Sequence, residues 1–313
     1  MTRVIMHRVL ISIPVLFLVS ILTFVLVSLL PGSAAQSLLG EQATPDQVAR
    51  VRAQLGLDLS VPEQYWNWLK TVAQGSLGNS ILNGAPVTET LNVRLPVTLT
   101  LVIGTTLVSA VIGITLGVLS ALRGGVLGRI IDIFTFTGLA LPSFFIGLAL
   151  IAIFAVTLQI FPPNGYVTFG TSPADWARSL VLPIAAMAVH GLSSVATQTR
   201  DATLDALNKD FVRVQFANGI SRRSIVWQHV LRNAAPPIAT MVGLVFVGLL
   251  SGAVLIESIF ALPGLGQAVV SAATHHDIPV VQGAVLYFTV LVVIVNLIID
   301  LVYSWVDPRV RVR

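Results

Sequence analysis

Long apolar stretches dominate this chain and set its architecture. Each reaches or approaches the roughly 20 residues that a helix needs to cross the hydrocarbon layer of a membrane. Backbone groups in lipid must be hydrogen-bonded within their own segment, so these stretches are predicted to be helices. The pattern therefore predicts an all-α integral membrane protein, with residues 1–313 forming a single transmembrane domain. The six predicted spans are residues 9–30, 97–122, 130–158, 179–196, 238–256 and 280–303.

The first apolar stretch has a second interpretation, as a secretory signal peptide. Arg3 and Arg8 precede it, and Ala34 with Ala35 imitates a cleavage site. A stretch of about 22 apolar residues is longer than a signal peptide uses, so we expect a retained helix.

The basic residues give the orientation. With the N-terminus inside, all but five of the 18 Lys and Arg residues fall at cytoplasmic positions, as the positive-inside rule requires. Both termini are therefore expected in the cytoplasm of a multi-pass protein. The net charge of +4 is explained by this placement, and a nucleic-acid partner is not expected.

An external segment, residues 31–95, follows the first span and carries its own folding signals. Thr44 with Pro45 is typical of a helix start, and Gly56 of a stop. A second short helix is expected around Tyr65 and Trp66, ahead of GSLGNS. Two interpretations remain open: a lid in the headgroup layer, where Trp and Tyr settle, or a docking surface for an external partner.

A basic cytoplasmic connection, residues 197–237, separates the fourth and fifth spans. Its first half is predicted to continue the fourth helix, and Gly219 to stop that helix in the left-handed conformation. Ser221 is placed to cap a second helix that runs to about Asn233 and is terminated by Pro236 and Pro237. One side of this second helix is apolar and the other cationic, so it suits either a protein partner or anionic lipid.

Several kinds of chemistry are not supported by the sequence. The only lysines, Lys70 and Lys209, do not follow glycine, so no phosphate-binding P-loop is present. There is no cysteine, and no spaced Cys/His set for a metal. The neighbouring His275 and His276 lie in an outer loop, and we assign them no metal and no role. ATP and Mg are therefore not expected to bind this chain itself.

Few polar groups lie within the spans, and such groups are functional hypotheses by default. His190 with Ser193 and Ser194 would suit an intramembrane serine hydrolase, although polar side chains between packed helices are the commoner case. Glu257 is expected near the outer end of the fifth span, either at an outer gate or as a helix-end hydrogen-bonding group. The intramembrane polar candidates are His190, Asn296 and Asp300.

Ordered motifs run along nearly the whole chain. They are LLPG, LGLD, QYWNWL, GSLGNS, RLPVTLTL, GLALPSFFIGL, the segment DFVRVQFANGISRRSIVWQHVLRNAAPP, GAVLIESIFALPGLG, PVVQGAV and NLIIDLVYSWVDPRVR. Together they resemble the permease subunits of binding-protein-dependent ABC importers, specifically the dipeptide, oligopeptide and nickel group and within it the dipeptide-permease-like first subunit.

The resemblance implies a type I importer permease fold with an external scoop-like insertion, and a set of partners. These are a homologous second permease, two ATPase subunits that bind ATP and Mg, and an extracytoplasmic substrate-binding protein, in a bacterial inner membrane. Residues 197–237 would be the ATPase-coupling loop, although only Gly219 and Leu231 keep the general coupling motif. The coupling residues implied are Ala217, Gly219, Ser221, Arg222, Arg223, His229, Leu231, Arg232 and Asn233. The outer-gate or docking residues are Glu257, Pro263, Gly264 and Gly266.

The expected function is import of di- or oligopeptides, driven by a separate ATPase, with no catalysis by this chain. A nickel chelate, glutathione and haem remain alternative cargoes within the family. A secondary transporter needing no ATPase is the alternative from another class. Neither the cargo nor the residues along its path can be read from the sequence.

Overall fold

The regular secondary structure of the described part is helical. The computed structural model describes residues 2–29, 33–40 and 42–306. Apart from turns and loops, these contain one isolated backbone bridge, between Asn79 and Pro86. The helices are α1 (Thr2–Ser28), α2 (Ala34–Leu39), α3 (Pro45–Gln54), α4 (Val61–Ala73), α5 (Val87–Arg123), α6 (Gly125–Ala140), α7 (Ser143–Leu150), α8 (Pro173–Leu207), α9 (Asp210–Ala217), α10 (Arg222–Ser224), α11 (Leu231–Ile259), α12 (Leu265–Thr274) and α13 (Ile278–Val306).

Two segments widen to π-helix and extend their neighbours. Ile151–Thr157 continues α7, and Ile225–Val230 joins α10 to α11, so that one helix runs from Arg222 to Ile259. The helices form two compact units. The first contains the described residues up to Thr98 together with Pro263–Val293, and the second contains Leu99–Leu262 with the described residues from Ile294 onward. The single domain expected from the sequence stays a prediction.

The predicted all-α class with six spans is confirmed. Among the described residues, five helices are long and apolar enough to cross a membrane, and a sixth span is counted when a bent pair is taken as one. That pair, Gly125–Ala140 and Ser143–Thr157, bends by 101°. The third predicted span, residues 130–158, therefore corresponds to this bent pair and not to one unbroken helix. Pro142 lies at the break with φ of −65°, where a missing N–H and the proline ring oppose continued helix.

The prediction that Pro236 and Pro237 end the second coupling helix was wrong. Both lie inside α11, which continues to Ile259. A proline removes only its own donor, and membrane helices tolerate this where neighbouring groups take up the freed carbonyls. The continuation of the fourth helix was partly wrong, because α8 ends at Leu207. Extended backbone at Lys209 separates it from α9.

In the second unit, α8 is the central helix. Small residues of α5 let it approach α8 closely: a side chain at Gly117 would come within 2.6 Å of Thr199 Cβ, and one at Gly113 within 2.8 Å of Val195 Cβ. Close approach through glycine is the usual way that membrane helices pack.

In the first unit, the external insertion has the local signals that the sequence predicted. Thr44 caps α3 in a capping box with Gln47, with Pro45 at the first helical position. Helix α4 carries Tyr65 and Trp66, as expected. Two helices were not anticipated, α2 in the insertion and α12 in the loop before the last span. Helix α12 contributes Leu265 and Ala272 to the buried core of this unit, so it is structural.

Candidate coupling segment and intramembrane polar groups

The predicted coupling segment folds as a helix, a glycine turn and a second helix. Helix α9 ends at Ala217, and Gly219 takes a φ of +77°, a conformation that strains any residue with a side chain. The turn closes with a bond from the Ile220 N–H to the Gln215 carbonyl, at 3.2 Å. Ser221 Oγ then accepts from the Ser224 N–H at 3.4 Å and caps the next helix. The predicted stop and cap are both confirmed.

A small core of its own holds this segment together. Ala206, Val212, Ile225 and Val230 are buried against one another, so the end of α8, α9 and the π-helical segment pack as a unit. Lys209 Nζ also donates to Asn233 Oδ1 at 2.7 Å, across 24 positions. These contacts hold in place the helices on either side of the Gly219 turn.

The exposed side chains of the segment include both apolar and cationic ones. Trp227 is 63% exposed and Phe216 is 47% exposed, and Arg222 and Arg223 are exposed as well. Tryptophan, phenylalanine and arginine are the residues that protein interfaces enrich. Sequence reasoning missed Phe216 and Trp227, although large aromatic residues in a basic loop were a usable signal. Of the predicted coupling residues, the exposed ones are Ala217, Gly219, Ser221, Arg222, Arg223, Arg232 and Asn233; His229 and Leu231 are half-buried.

The π-helical segment Ile225–Val230 lies between α10 and α11. One extra residue per turn rotates the following side chains relative to an α-helix, and such segments recur at functional positions. Here the segment buries Ile225, Val226 and Val230 while Trp227 points outward.

The predicted outer-gate residues are mostly buried. Glu257, in the second unit, is completely buried, and its carbonyl accepts from the Leu262 N–H at 2.8 Å in the turn that follows α11. In the first unit, Gly264 precedes α12 and is buried, as is Gly266, whereas Pro263 is exposed. The predicted turn at the end of the fifth helix is confirmed, with Ala261 at a φ of +49°. The gating and docking roles stay predictions.

The polar groups within the spans have different settings. His190 lies at the middle of α8, is exposed, and borders a cavity in the second unit. Ser193 Oγ donates to the Val189 carbonyl at 2.7 Å, and Ser194 Oγ to the His190 carbonyl at 3.1 Å. Both bonds return to the serines' own helix, which is ordinary for serine in membranes and gives the hydrolase interpretation no support. Asn296 is exposed on α13, and the Asp300 side chain lies outside the described residues.

Family models match nearly the whole chain. The model of the binding-protein-dependent transport system inner membrane component matches residues 113–312, and that of the N-terminal part of such membrane components matches residues 1–102. The chain belongs to this family.

Relatives place the permease in the peptide and nickel group of ABC importers. It is 39% identical over 312 residues to a putative peptide transport system permease of Brucella abortus, covering 99% of both chains. It is 36% identical to the oligopeptide transport system permease of Bacillus subtilis, covering 99% of this chain and all of that one. It is 34% identical to a glutathione transport system permease of Salmonella choleraesuis, over the full length of both.

The permease also shares its fold with a solved transporter. A chain of the methionine ABC transporter MetNI, in an inward-facing conformation, superposes with a TM-score of 0.56 at 18% identity. The match covers 70% of the permease and 97% of the MetNI chain, and it supports the type I importer fold. Family membership sets the secondary-transporter alternative aside.

Two acidic residues of the permease, Asp132 and Asp277, have partners that were not anticipated. In the second unit, Arg200 Nε lies 3.3 Å from Asp132 Oδ1, and Ser120 Oγ donates to the same oxygen at 2.8 Å, which ties α5, α6 and α8 together. In the first unit, Asp277 is almost fully buried and accepts from Ser80 and from the Ile81 N–H. In the sequence, Asp132 and Asp277 are single acidic residues near the ends of apolar stretches, and nothing nearby in the sequence indicates their hydrogen-bonding partners.

Proposed function

We propose that this permease is one of two membrane subunits of a peptide importer, and that a separate ATPase subunit binds its coupling segment in the loop 197–237, with residues 210–233 as the main contact. The observation that carries the coupling part is the exposed set of Phe216, Trp227, Arg222 and Arg223 around the Gly219 turn, on a base fixed by its own buried core. Arg222 and Arg223 begin a helix, where the helix dipole disfavours cations, so an acidic partner surface accounts for them better than helix stability does.

The remaining parts of the proposed assembly follow from the family. The importer needs a second permease, ATPase subunits that bind ATP and Mg, and an external substrate-binding protein. The basic residues favour cytoplasmic termini in a bacterial inner membrane. On the outer side, the expected docking segments are the insertion 31–95 and the loop 260–278. The described part of the insertion and residues 263–278 both belong to the first unit, where Ser80 and Asp277 join them. We expect the binding protein to dock there.

Short peptides are the proposed cargo. Relatives named as peptide and oligopeptide permeases support this, and the glutathione permease names a tripeptide-like alternative. Calorimetry on the cognate binding protein should show binding of di- or oligopeptides. A binding protein that takes only a nickel chelate or haem, with no affinity for a peptide, would overturn the cargo assignment.

The coupling assignment is tested with Gly219→Asp in the complete complex. A side chain at the left-handed position strains the turn by roughly 1 kcal/mol and adds bulk on the docking side. Gly124→Asp is the control, because Gly124 is also exposed and has a positive φ, +50°, with nothing within 4 Å of an added Cβ. We expect both variants to insert, and only Gly219→Asp to lose ATPase co-purification and peptide uptake. Uptake at the parent rate in Gly219→Asp would show that the segment does not couple.

A second variant separates the ATPase from anionic lipid as the partner of the two arginines. With Arg222→Ala and Arg223→Ala together, ATPase retention and peptide-stimulated ATP hydrolysis should fall in a neutral-lipid nanodisc. If the arginines bind lipid alone, hydrolysis in that nanodisc should be unchanged.

A further inference from the structure

A concavity on the second unit lies among α7, α8 and α11. It encloses about 240 Å³ and is bordered by His190 and Met187 of α8, Ser143 of α7, and Leu244 and Gly248 of α11. This is slightly below the range of about 300–1,000 Å³ in which ligand pockets fall. A surface of this kind has room for part of a small cargo.

Two of the glycines that border the concavity, Gly248 and Gly252, leave space where a side chain would fit. A Cβ at Gly243 would collide with the Ile299 side chain, and one at Gly191 would lie 2.5 Å from Ser109 Oγ, so these glycines permit close helix contact. A Cβ at Gly248 would meet nothing within 4 Å, and one at Gly252 only Met187 Cε, at 3.9 Å. Glycine within a helix costs stability, and helix packing does not account for that cost at Gly248.

His190 gives the concavity its polarity. An exposed imidazole at the middle of a membrane-spanning helix is costly against lipid, so it belongs to a water-filled path or a polar partner. The described residues that border the concavity include no acidic side chain, and apart from His190 the only polar side chain is that of Ser143. An imidazole and a hydroxyl supply hydrogen-bond donors, which suit an acceptor group such as a carboxylate.

We propose that this concavity is a cargo-passage surface and that His190 receives the carboxylate of the passing peptide. The carboxylate assignment rests on the proposed function, in which peptides are the cargo. The accessible apolar lining, Leu244 and Val245 among it, then lets side chains of varied shape pass without specific binding. His190 would be a specificity-determining residue of the path.

Because the permease contains no cysteine, the labelling rate of a single introduced cysteine reports how accessible that position is to solvent. Single-cysteine variants Gly248→Cys and Ser143→Cys would be made in the complex of both permeases with their ATPase subunits. The complex would be placed in nanodiscs, which are open to solvent on both faces. Labelling would be followed by mass spectrometry of the permease with an anionic reagent, sulfonatoethyl methanethiosulfonate, and a cationic one, trimethylammonioethyl methanethiosulfonate. Ala253→Cys, fully buried on α11, is the negative control, and Gly124→Cys the exposed positive control.

We expect both path variants to react far faster than Ala253→Cys in at least one of the nucleotide-free and ATP-analogue states. Replacing His190 by Leu in the Gly248→Cys background should lower the ratio of anionic to cationic labelling rates by about three- to tenfold, the equivalent of one hydrogen bond. His190→Gln retains a donor and should restore part of that ratio. Removing the hydroxyl of Ser194, one turn away, with Ser194→Ala should leave the ratio unchanged.

Labelling as slow as in Ala253→Cys would mean that lipid or the second permease fills the concavity, and would overturn the proposal. If His190→Leu leaves the ratio of anionic to cationic labelling rates unchanged, His190 does not receive the carboxylate. Neither measurement needs a peptide or the binding protein. A binding protein without peptide affinity would therefore count against the proposed cargo and leave the labelling result standing.

Discussion

Ser80 donates a hydrogen bond to Asp277 at 2.5 Å, although 197 positions separate the two residues. The other carboxylate oxygen of Asp277 accepts from the Ile81 N–H at 3.0 Å, and the Asp277 residue is 2% exposed. One buried acidic group thereby joins the external insertion to the loop that precedes the last span.

We predict that Asp277→Ala destabilises the first unit by about 1–3 kcal/mol, because it leaves the Ser80 hydroxyl and the Ile81 N–H buried without their acceptor. Asp277→Asn should cost less, since the amide oxygen still accepts one bond. Thermal unfolding of the purified permease measures both. The control is Asp58→Ala, which breaks an exposed ion pair with Arg52 and should change stability by at most about 1 kcal/mol. Equal stability of Asp277→Ala and Asp58→Ala would contradict the structural role.

Trp227→Ala is predicted to weaken ATPase binding without lowering the stability of the permease. The side chain is 63% exposed and outside the core of the coupling segment, so its truncation leaves no cavity. Interface hot spots, which are enriched in tryptophan, cost about 2 kcal/mol of binding or more when truncated, and we expect a loss of that size here, about thirtyfold or more in affinity. Titration of the ATPase against permease in nanodiscs measures the effect.

The matched control for Trp227→Ala is Trp66→Ala, which removes an exposed tryptophan from the external insertion. It should leave ATPase affinity at the parent value. Similar affinity for both variants would mean that Trp227 faces lipid or solvent in the assembly.

Two glycines of α11 should respond oppositely to the same substitution. Gly243→Val drives a side chain into Ile299, so we expect a destabilisation of about 1–3 kcal/mol from overpacking, with lower yield of folded permease. Gly248→Val meets open space and should fold as the parent does. Size-exclusion profiles and unfolding temperatures of the two variants provide the comparison, and a Gly248→Val protein as unstable as Gly243→Val would refute it.

The cap of α4 should weaken in acid. The Glu63 carboxylate accepts from the Ser60 hydroxyl at 2.7 Å and from the Ser60 N–H at 3.0 Å, and these bonds lower the pKa of Glu63 below its usual value. A lowered folded-state pKa means that this contribution is present above the unfolded-state pKa and is lost as the pH falls through the folded-state pKa.

We therefore expect amide protection at the start of α4 to drop in acid in the parent. In Glu63→Gln, whose amide does not titrate in this range, the drop should be smaller. Hydrogen exchange of the two proteins, compared at each pH, gives the measurement, and identical acid profiles would show that the cap does not titrate.

The sequence alone determined the features that depend on a few neighbouring residues. Local sterics favour glycine in the left-handed turn at residue 219, and local hydrogen bonds explain the caps at Thr44 and Ser221. The apolar stretches are helical because backbone groups in lipid must be hydrogen-bonded within the chain. The ordered motifs likewise identified the family before any fold was known.

The tertiary structure decided what neighbours in space impose. Pro142 breaks its helix while Pro236 and Pro237 are accommodated within theirs, although the residue type makes the same local demand at each place. Gly243 and Gly248 lie in one helix, yet one contacts Ile299 and the other opens to a cavity. The partner of Asp277 is a serine almost two hundred positions away. The sequence shows which side chain stands at each position. The neighbours that surround it in space depend on contacts between distant parts of the chain, and the periodicity of apolar residues does not reveal these.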